Sequence, residues 1–360
     1  GNVKAYNLKT TKSSDMFLES RSVKNLLAMT GTPVLNTPMD LFSIAHLISP
    51  VEFPSKTKFK EDFTRPNYAT GKSEFTRGGL ERIKNKLKGR YLARNLEDVG
   101  IFLPKQHIHV ERVELDPVKY PLQHRTITQI SDMAKIEMES GEISTIMEMI
   151  SIILRKRQAN VWPGGIEVRD DEGNVTFSVG AVAKKKKKMD ECLAKIVDYH
   201  KKGKRQIVFS QFASALEEFE KRVNAKGIRA VRFDGSTPKP LREEIKTNFY
   251  KAKNEVPKWD VVLVHYRTGG AGLNLTAAEV THILDEEWNA GKRDQSYARN
   301  HRMGQDKETH VHVYRIPNSI DTWMANLIAI KERLATKLGQ TMSADRQISM
   351  LKDAIKNGEI

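Results

Sequence analysis

From residue 189 onward, short apolar runs alternate with amphipathic stretches of 10–15 residues. The runs Gln206–Phe209, Ile228–Phe233, Val261–His265, Val280–Leu284 and Val311–Ile316 read as strands, with helices between them near 190–202, 213–226, 238–252 and 292–301. Continuous apolar runs, rather than alternating ones, are the mark of strands covered on both faces. The pattern predicts an open, doubly wound α/β domain with a parallel sheet. A last helix starts at an N-cap Ser319 and places Trp323, Leu327, Ile330 and Leu334 on one face.

The first half is less regular. Val23 to Met29 is an apolar run ending in Thr30-Gly31-Thr32-Pro33, which reads as a strand and a tight turn. A helix opens at Thr37-Pro38-Met39-Asp40, with Thr37 as N-cap, Pro38 in the first helical position and Asp40 completing a capping box. Its apolar face is Leu41, Ile44, Ala45 and Ile48. Residues 51–105 are basic and irregular, with a helical piece at Leu80–Leu87; His107–Leu115 alternates like a strand with one wet face, and helices follow at 117–139 and 144–160. Residues 161–188 read as a linker with a small hairpin, ending in Lys184 to Lys188, a solvated charge run that also has the composition of an import signal or a phosphate-tracking patch.

Charge changes the picture modestly. With 60 Lys and Arg against 45 Asp and Glu, the chain carries +15, which favours a polyanionic partner, nucleic acid first. The one cysteine, Cys192, excludes a disulfide within the chain and reads as a small core residue of a protein from a reducing compartment. No run approaches the roughly 20 apolar residues of a membrane span, and no membrane partner is expected. His107 and His109, like His310 and His312, share a strand face where a metal could bind, but no cysteine or carboxylate pattern supports one, so they read as surface histidines.

In a parallel sheet, working groups sit on loops at the carboxyl ends of the strands. Those loops read Ser210-Gln211-Phe212, then Asp234-Gly235-Ser236-Thr237-Pro238 at a helix start suited to an anion, then Tyr266 to Leu275, then Asp285 to Asn289. The next helix bears Arg299 and Arg302; three apart, they lie on one face and can converge on one charged group. A guanidinium fork suits phosphate oxygens, although two arginines alone describe a solvated basic face equally well. Trp288 could stack on a base or cap the sheet edge.

Together, Ile207-Val-Phe-Ser-Gln-Phe212, Asp234-Gly-Ser236, Thr268-Gly-Gly-Ala-Gly-Leu-Asn-Leu275, Trp288-Asn289 and His301-Arg-Met-Gly-Gln305 closely resemble, in order and spacing, the second lobe of the Swi/Snf-type ATPases of helicase superfamily two. Leu26-Leu-Ala-Met-Thr-Gly-Thr-Pro-Val-Leu-Asn36 resembles that family's third motif, and Arg94 to Val99 and Leu154-Arg155 resemble its inter-lobe landmarks. The resemblance implies a division into 1–50, the end of a first RecA-like lobe; 51–160, a helical protrusion and inter-lobe region; 161–188, a linker; 189–340, a second RecA-like lobe; and 341–360, a tail.

Carried over by residue, the resemblance implies that Arg299 and Arg302 face ATP as catalytic arginines, with Gln295, Gly270 and Gly272 lining the same interface. Ser210, Gln211, Gly235, Ser236, Thr268, Asn274 and Trp288 would meet duplex DNA, and Thr30, Gly31 and Thr32 would couple nucleotide to DNA. Three departures stand out: Ala298-Arg299-Asn300-His301-Arg302 where relatives often have Asp-Arg-Ala-His-Arg, Ala290 for the usual Pro, and Ala93-Arg94-Asn95 for Arg-Arg-Thr.

ATP with Mg²⁺ is the implied cofactor, yet the phosphate loop Gly-x-x-x-x-Gly-Lys-Ser/Thr and the Asp-Glu-x-His box are not among these residues; Gly71-Lys72-Ser73 has Pro66 where the first glycine belongs. The expectation is the C-terminal half of a double-stranded-DNA translocase that works with a first-lobe polypeptide and is inactive alone, as from a split gene, a spliced product or a truncated gene. A non-catalytic DNA-binding remnant and an RNA-directed helicase lobe are the alternatives, the second disfavoured by the Gly-Gln ending of the last motif. Compact spacing leans toward a bacterial or phage source and the nucleoid, or the nucleus if the source is eukaryotic.

Overall fold

The computed structural model describes residues 25–29, 38–67, 72–92, 97–139, 146–164, 166–169, 175–178, 185–251, 257–269, 273–338, 350 and 353–354. The chain forms two compact units, Gly1–Gly100 with Ala329–Met350, and Ile101–Ile328 with Leu351–Ile360.

In the first unit, helix α1 (Pro38–Ile48) begins at the expected proline, while its expected cap Thr37 lies outside the described residues. Its Leu41, Phe42 and Ala45 pack with Phe53, with Phe59 and Phe63 of α2 (Lys56–Phe63), and with Ile83 of α3 (Gly79–Lys86) in an aromatic core. A two-stranded antiparallel ribbon, β1 (Thr64–Asn67) and β2 (Lys72–Phe75), completes the unit's described strands. The strand expected at Val23–Met29 is not formed at 25–29. Leu27 and Met29 are about four-fifths exposed, and no described strand pairs with them, so the apolar run has neither the ladder nor the cover that a strand needs.

The second unit is built on a six-stranded, all-parallel sheet. Its strands are β3 (Gln106–Arg112), β6 (Gln206–Ser210), β7 (Ala230–Phe233), β8 (Val261–His265), β9 (Val280–Ile283) and β10 (Thr309–Arg315), in the spatial order β3-β10-β9-β6-β8-β7. Helices α6 (Lys187–Lys201) and α7 (Ala213–Asn224) cover one face, where Cys192, Ile196, Leu216 and Phe219 meet Val208, Val261 and Leu263. Helix α8 (Lys239–Lys251) covers the other, where Ile245 and Phe249 meet Ile207, Phe209, Val262 and Val264. Alternate residues of β6 and β8 thus enter opposite apolar layers, the physical reason residues 207–209 and 261–264 are apolar without a break.

Strand β3 is the strand expected near His107–Leu115, and it joins this sheet as an edge. Helices α4 (Pro121–Glu139) and α5 (Ile146–Val161) follow it, and a small ribbon, β4 (Glu167–Arg169) and β5 (Val175–Ser178), matches the expected hairpin. The lysine run is solvated only in part: Lys185 is exposed, whereas Lys186 and Lys188 are not. Lys188 is fully buried, ion-paired with Asp321 at 2.6 Å and donating to the Leu284 carbonyl at 3.0 Å; Lys186, also buried, pairs with Glu218 at 3.1 Å. Only a paired ammonium can be buried without a large desolvation cost, and these partners come from remote parts of the chain.

Helix α11 (Ile320–Leu338) starts after Ser319, whose hydroxyl accepts from the Asp321 amide at 3.2 Å, and it buries Trp323 and Leu327 as expected. Two shorter helices complete the order: α9 (Tyr266–Gly269) directly after β8, and α10 (Ala290–Tyr297).

Candidate nucleotide and nucleic-acid site

The carboxyl ends of β6, β8 and β9 meet where the chain order reverses, the usual place for a crevice in such sheets. At their centre is Asp285, 2% exposed. Its carboxylate accepts from the Ser210 hydroxyl, from the Gln211 amide at 3.2 and 3.3 Å, and from Arg157 Nη2 at 3.2 Å. Burial pushes the Asp285 carboxyl above its ordinary range, while Arg157, Ser210, Lys188 and the Gln211 amide draw it back down.

Arg157, from α5, also donates to the Gln211 side-chain oxygen at 3.0 Å and to the Glu286 carbonyl. Glu286 in turn grips Arg315 through two bonds, at 2.6 and 2.9 Å, and accepts from the Tyr297 hydroxyl at 3.0 Å. Three strand ends are thereby tied into one rigid rim.

Ser210 is fully buried, so its hydroxyl shapes the rim and is not presented to solvent. Gln211 is half-buried, and its side-chain nitrogen is a buried donor with no partner among the described residues. His265 bonds the Gln211 carbonyl at 2.8 Å. Trp288, half-buried, packs its ring against Trp323 with centroids 6.2 Å apart, and Asn289 caps α10 by accepting from the Lys292 amide at 3.1 Å.

At the end of β7, Asp234 accepts from the Ser236 amide at 2.9 Å and its hydroxyl at 2.6 Å. Burial opposes ionisation there, but these bonds and Arg232 hold the Asp234 carboxyl below its ordinary value. The turn leaves Gly235 and Ser236 exposed, with open space over Gly235 and its carbonyl accepting from Arg242 at 2.9 Å. Thr268 lies on α9, half-buried. Gly270, Gly272, Thr30, Gly31 and Thr32 lie outside the described residues.

The two arginines do not share a helix face. Helix α10 ends at Tyr297, with Ala298 as its C-cap, and both follow in a turn. The helix stops because tertiary partners claim its backbone: the Arg299 carbonyl accepts from the Leu275 amide at 3.1 Å, and Gly304, at φ 97°, turns the chain in a region that suits glycine. They converge nonetheless. Arg299 Nη1 and Arg302 Nη1 both donate to the Leu273 carbonyl, at 3.1 and 3.4 Å, and Arg302 Nε donates to the Ala298 carbonyl at 3.0 Å.

Burial, then the nearby Arg302, brings the Arg299 guanidinium down to about 10, and burial lowers Arg302 as well. Arg299 is 3% exposed, whereas Arg302 and Gln295 are half-buried. Gln305 clamps the turn, its side-chain nitrogen donating to the carbonyls of Thr276, Ala278 and Asn300 at 3.0–3.1 Å. Among the described residues, half-buried Asn274 has a buried side-chain oxygen without a partner, and the fully buried Asn300 side chain has neither polar atom paired.

Sequence reasoning missed Arg157, Glu286, Arg315 and the structural task of Gln305, because each acts through a partner distant along the chain. Two clustered guanidinium groups fit a polyphosphate. Among the described residues no group of three or more His, Cys, Asp or Glu could hold a metal ion, so Mg²⁺ is not matched by a donor set here. No described helix is long and apolar enough to cross a membrane.

A helicase conserved C-terminal domain matches residues 185–304, and an SNF2-related domain matches residues 5–164. Chromodomain-helicase-DNA-binding protein 8 of Danio rerio is 28% identical over 346 residues, 92% of this chain and 13% of that protein. An uncharacterized ATP-dependent helicase of Mycoplasma pneumoniae is 28% identical over 329 residues, 90% of this chain and 29% of that one. The chain therefore spans well under a third of the length of these relatives.

In fold, it is similar to the C-terminal part of the Fun30 ATPase domain, with a TM-score of 0.52 at 21% identity over 71% of this chain and 99% of that one. It is also similar to the Sulfolobus solfataricus SWI2/SNF2 ATPase core in complex with dsDNA, with a TM-score of 0.51 at 22% identity over 92% of this chain and 65% of that one. The parallel sheet and these likenesses define the fold as a RecA-like lobe. With the SNF2-related and helicase C-terminal domains side by side, the chain belongs to the SNF2 family of ATPases.

Proposed function

We propose that this chain is the C-terminal half of an ATP-dependent motor that tracks double-stranded DNA. It contributes arginines to an ATP site completed by a polypeptide carrying the phosphate loop and acidic box. The observation that carries this reading is the convergence of Arg299 and Arg302 on the Leu273 carbonyl. When bound, ATP supplies the phosphoryl group. Arg302, half-buried, is the guanidinium able to swing onto phosphate oxygens, while the buried Arg299 stays on the Leu273 carbonyl. Gly235, exposed just before a helix start with open space over it, lets a phosphate backbone approach the chain closely, a contact that positions a protein on DNA without reading sequence.

Residues 1–360 contain no phosphate loop, so on this reading they do not turn over ATP alone. The test mixes the chain with a candidate first lobe and measures ATP hydrolysis with duplex DNA, single strands and RNA. Stimulation by duplex DNA is expected; stimulation by RNA alone points to an RNA-directed lobe, and DNA binding with no turnover in any mixture overturns the motor reading.

A further inference from the structure

Strand β3 is weakly held for a member of this sheet. Among the described strands it pairs with β10 alone, and on one of its faces Ile108 and Val110 are more than half exposed. Little apolar burial therefore fastens its middle. The parallel register sets His107 beside His310 and His109 beside His312, all on the other face. There the rings form a ladder: His107–His310 centroids are 5.2 Å apart, His109–His310 5.5 Å, His109–His312 4.7 Å and His312–His282 5.5 Å, with interplanar angles of 14–24°.

The charged and titratable groups facing the ladder come from every element around it. On β3, Glu111 accepts from His312 at 2.7 Å and pairs with Lys195 of α6 at 3.1 Å. Before β10, Glu308 faces His107 at 3.1 Å. From α6, the Tyr199 hydroxyl meets His312 at 2.9 Å, with Lys202 over the Tyr199 ring and paired to Asp198. Lys204, paired with Glu279, adds positive charge near His310. On β9, His282 bonds Tyr314 and Gln206, both at 2.9 Å.

The carboxylates are thus already placed: Glu308 can receive a charged His107, and Glu111 a charged His312. Among the described residues, the pair with no carboxylate in direct contact is His109 and His310, although the charge of Glu308, two residues before His310, still acts on that ring. His109 Nε2 and His310 Nδ1 lie 3.2 Å apart, a hydrogen bond in which one ring donates and the other accepts. That bond survives with the rings neutral or singly protonated. When both are imidazolium each nitrogen is a donor, and two like charges meet at bonding distance.

We propose that the His109–His310 pair is a proton-operated latch on the edge strand: below two protons it ties β3 to β10, and at two it drives the middle of β3 off the sheet while the sheet centre stays intact. Burial, then the charges of Lys204, His107 and His109, lower His310 against the opposing pull of Glu308, in keeping with a latch closed near neutrality.

Hydrogen exchange of the full chain, corrected for intrinsic rates, tests this by comparing peptides over 106–112 and 206–210 from roughly pH 7.5 to about pH 5. Protection of 106–112 should fall about tenfold more than that of 206–210, and His109→Gln, which keeps a polar side chain without the titration, should remove most of the difference. Parallel loss in both peptides, or an unchanged drop in the variant, overturns the latch. If His109→Gln does not fold, imidazole NMR titration of the unmodified chain decides: β3 amide signals must shift when the pair takes its second proton, and two protons taken with those signals unmoved overturns the proposal.

Discussion

Arg157 carries a consequence that no local pattern announces. It and Asp285 are nearly sealed from solvent, so removing the cation leaves a buried carboxylate without its charge partner. Arg157→Met is expected to cost about 3–5 kcal/mol of stability in a denaturant titration; a loss under about 1 kcal/mol would show the rim to be held by its neutral hydrogen bonds. Cys192 makes the opposite point. Burial in an apolar layer raises its thiol far above the ordinary range, so it should resist a thiol-reactive dye in the native state and react only on unfolding. Fast labelling under native conditions would contradict its place in the core.

At the scale of elements, the strand–helix alternation after residue 189 was legible because strands covered on both faces write continuous apolar runs into the sequence. Where competing tertiary bonds decide, the sequence is silent. Helical periodicity carries the helix expected at 292–301 through Arg299, but the Leu275 amide takes the Arg299 carbonyl and α10 ends at Tyr297. The lysine run reads as a solvated linker because its partners Glu218 and Asp321 stand 32 and 133 residues away from Lys186 and Lys188. The start of α6 should therefore discriminate sharply among neighbouring lysines. Lys188→Ala is expected to cost about 3 kcal/mol, and Lys185→Ala, whose side chain is exposed, no more than about 0.5 kcal/mol, both by chemical denaturation. Equal small losses would return the run to the linker.

For the whole molecule, the histidines predict how stability follows pH. Burial lowers His312 to about 4 and His282 well below its ordinary value. The unfolded chain begins to take up those protons near pH 6.5, and the folded chain does not until much lower pH, so the unfolded state binds more protons in between. Stability is fully present above about pH 6.5 and is lost as pH falls toward 4, with His312 alone contributing on the order of 3 kcal/mol. His312→Asn should flatten that limb of the denaturation midpoint against pH; an unchanged slope would assign the acid sensitivity elsewhere.

Above these scales stands the motor reading, which rests on Arg302 reaching phosphate and not DNA. The most direct measurement is duplex-DNA-stimulated ATP turnover, with DNA affinity taken in parallel, for the chain and for Arg302→Ala, each joined with a first lobe bearing the phosphate loop and acidic box. Turnover should fall by about a thousandfold or more while DNA affinity stays within about twofold. Turnover that persists in Arg302→Ala, or a loss of DNA binding with the ATPase rate intact at saturating DNA, would contradict the assignment.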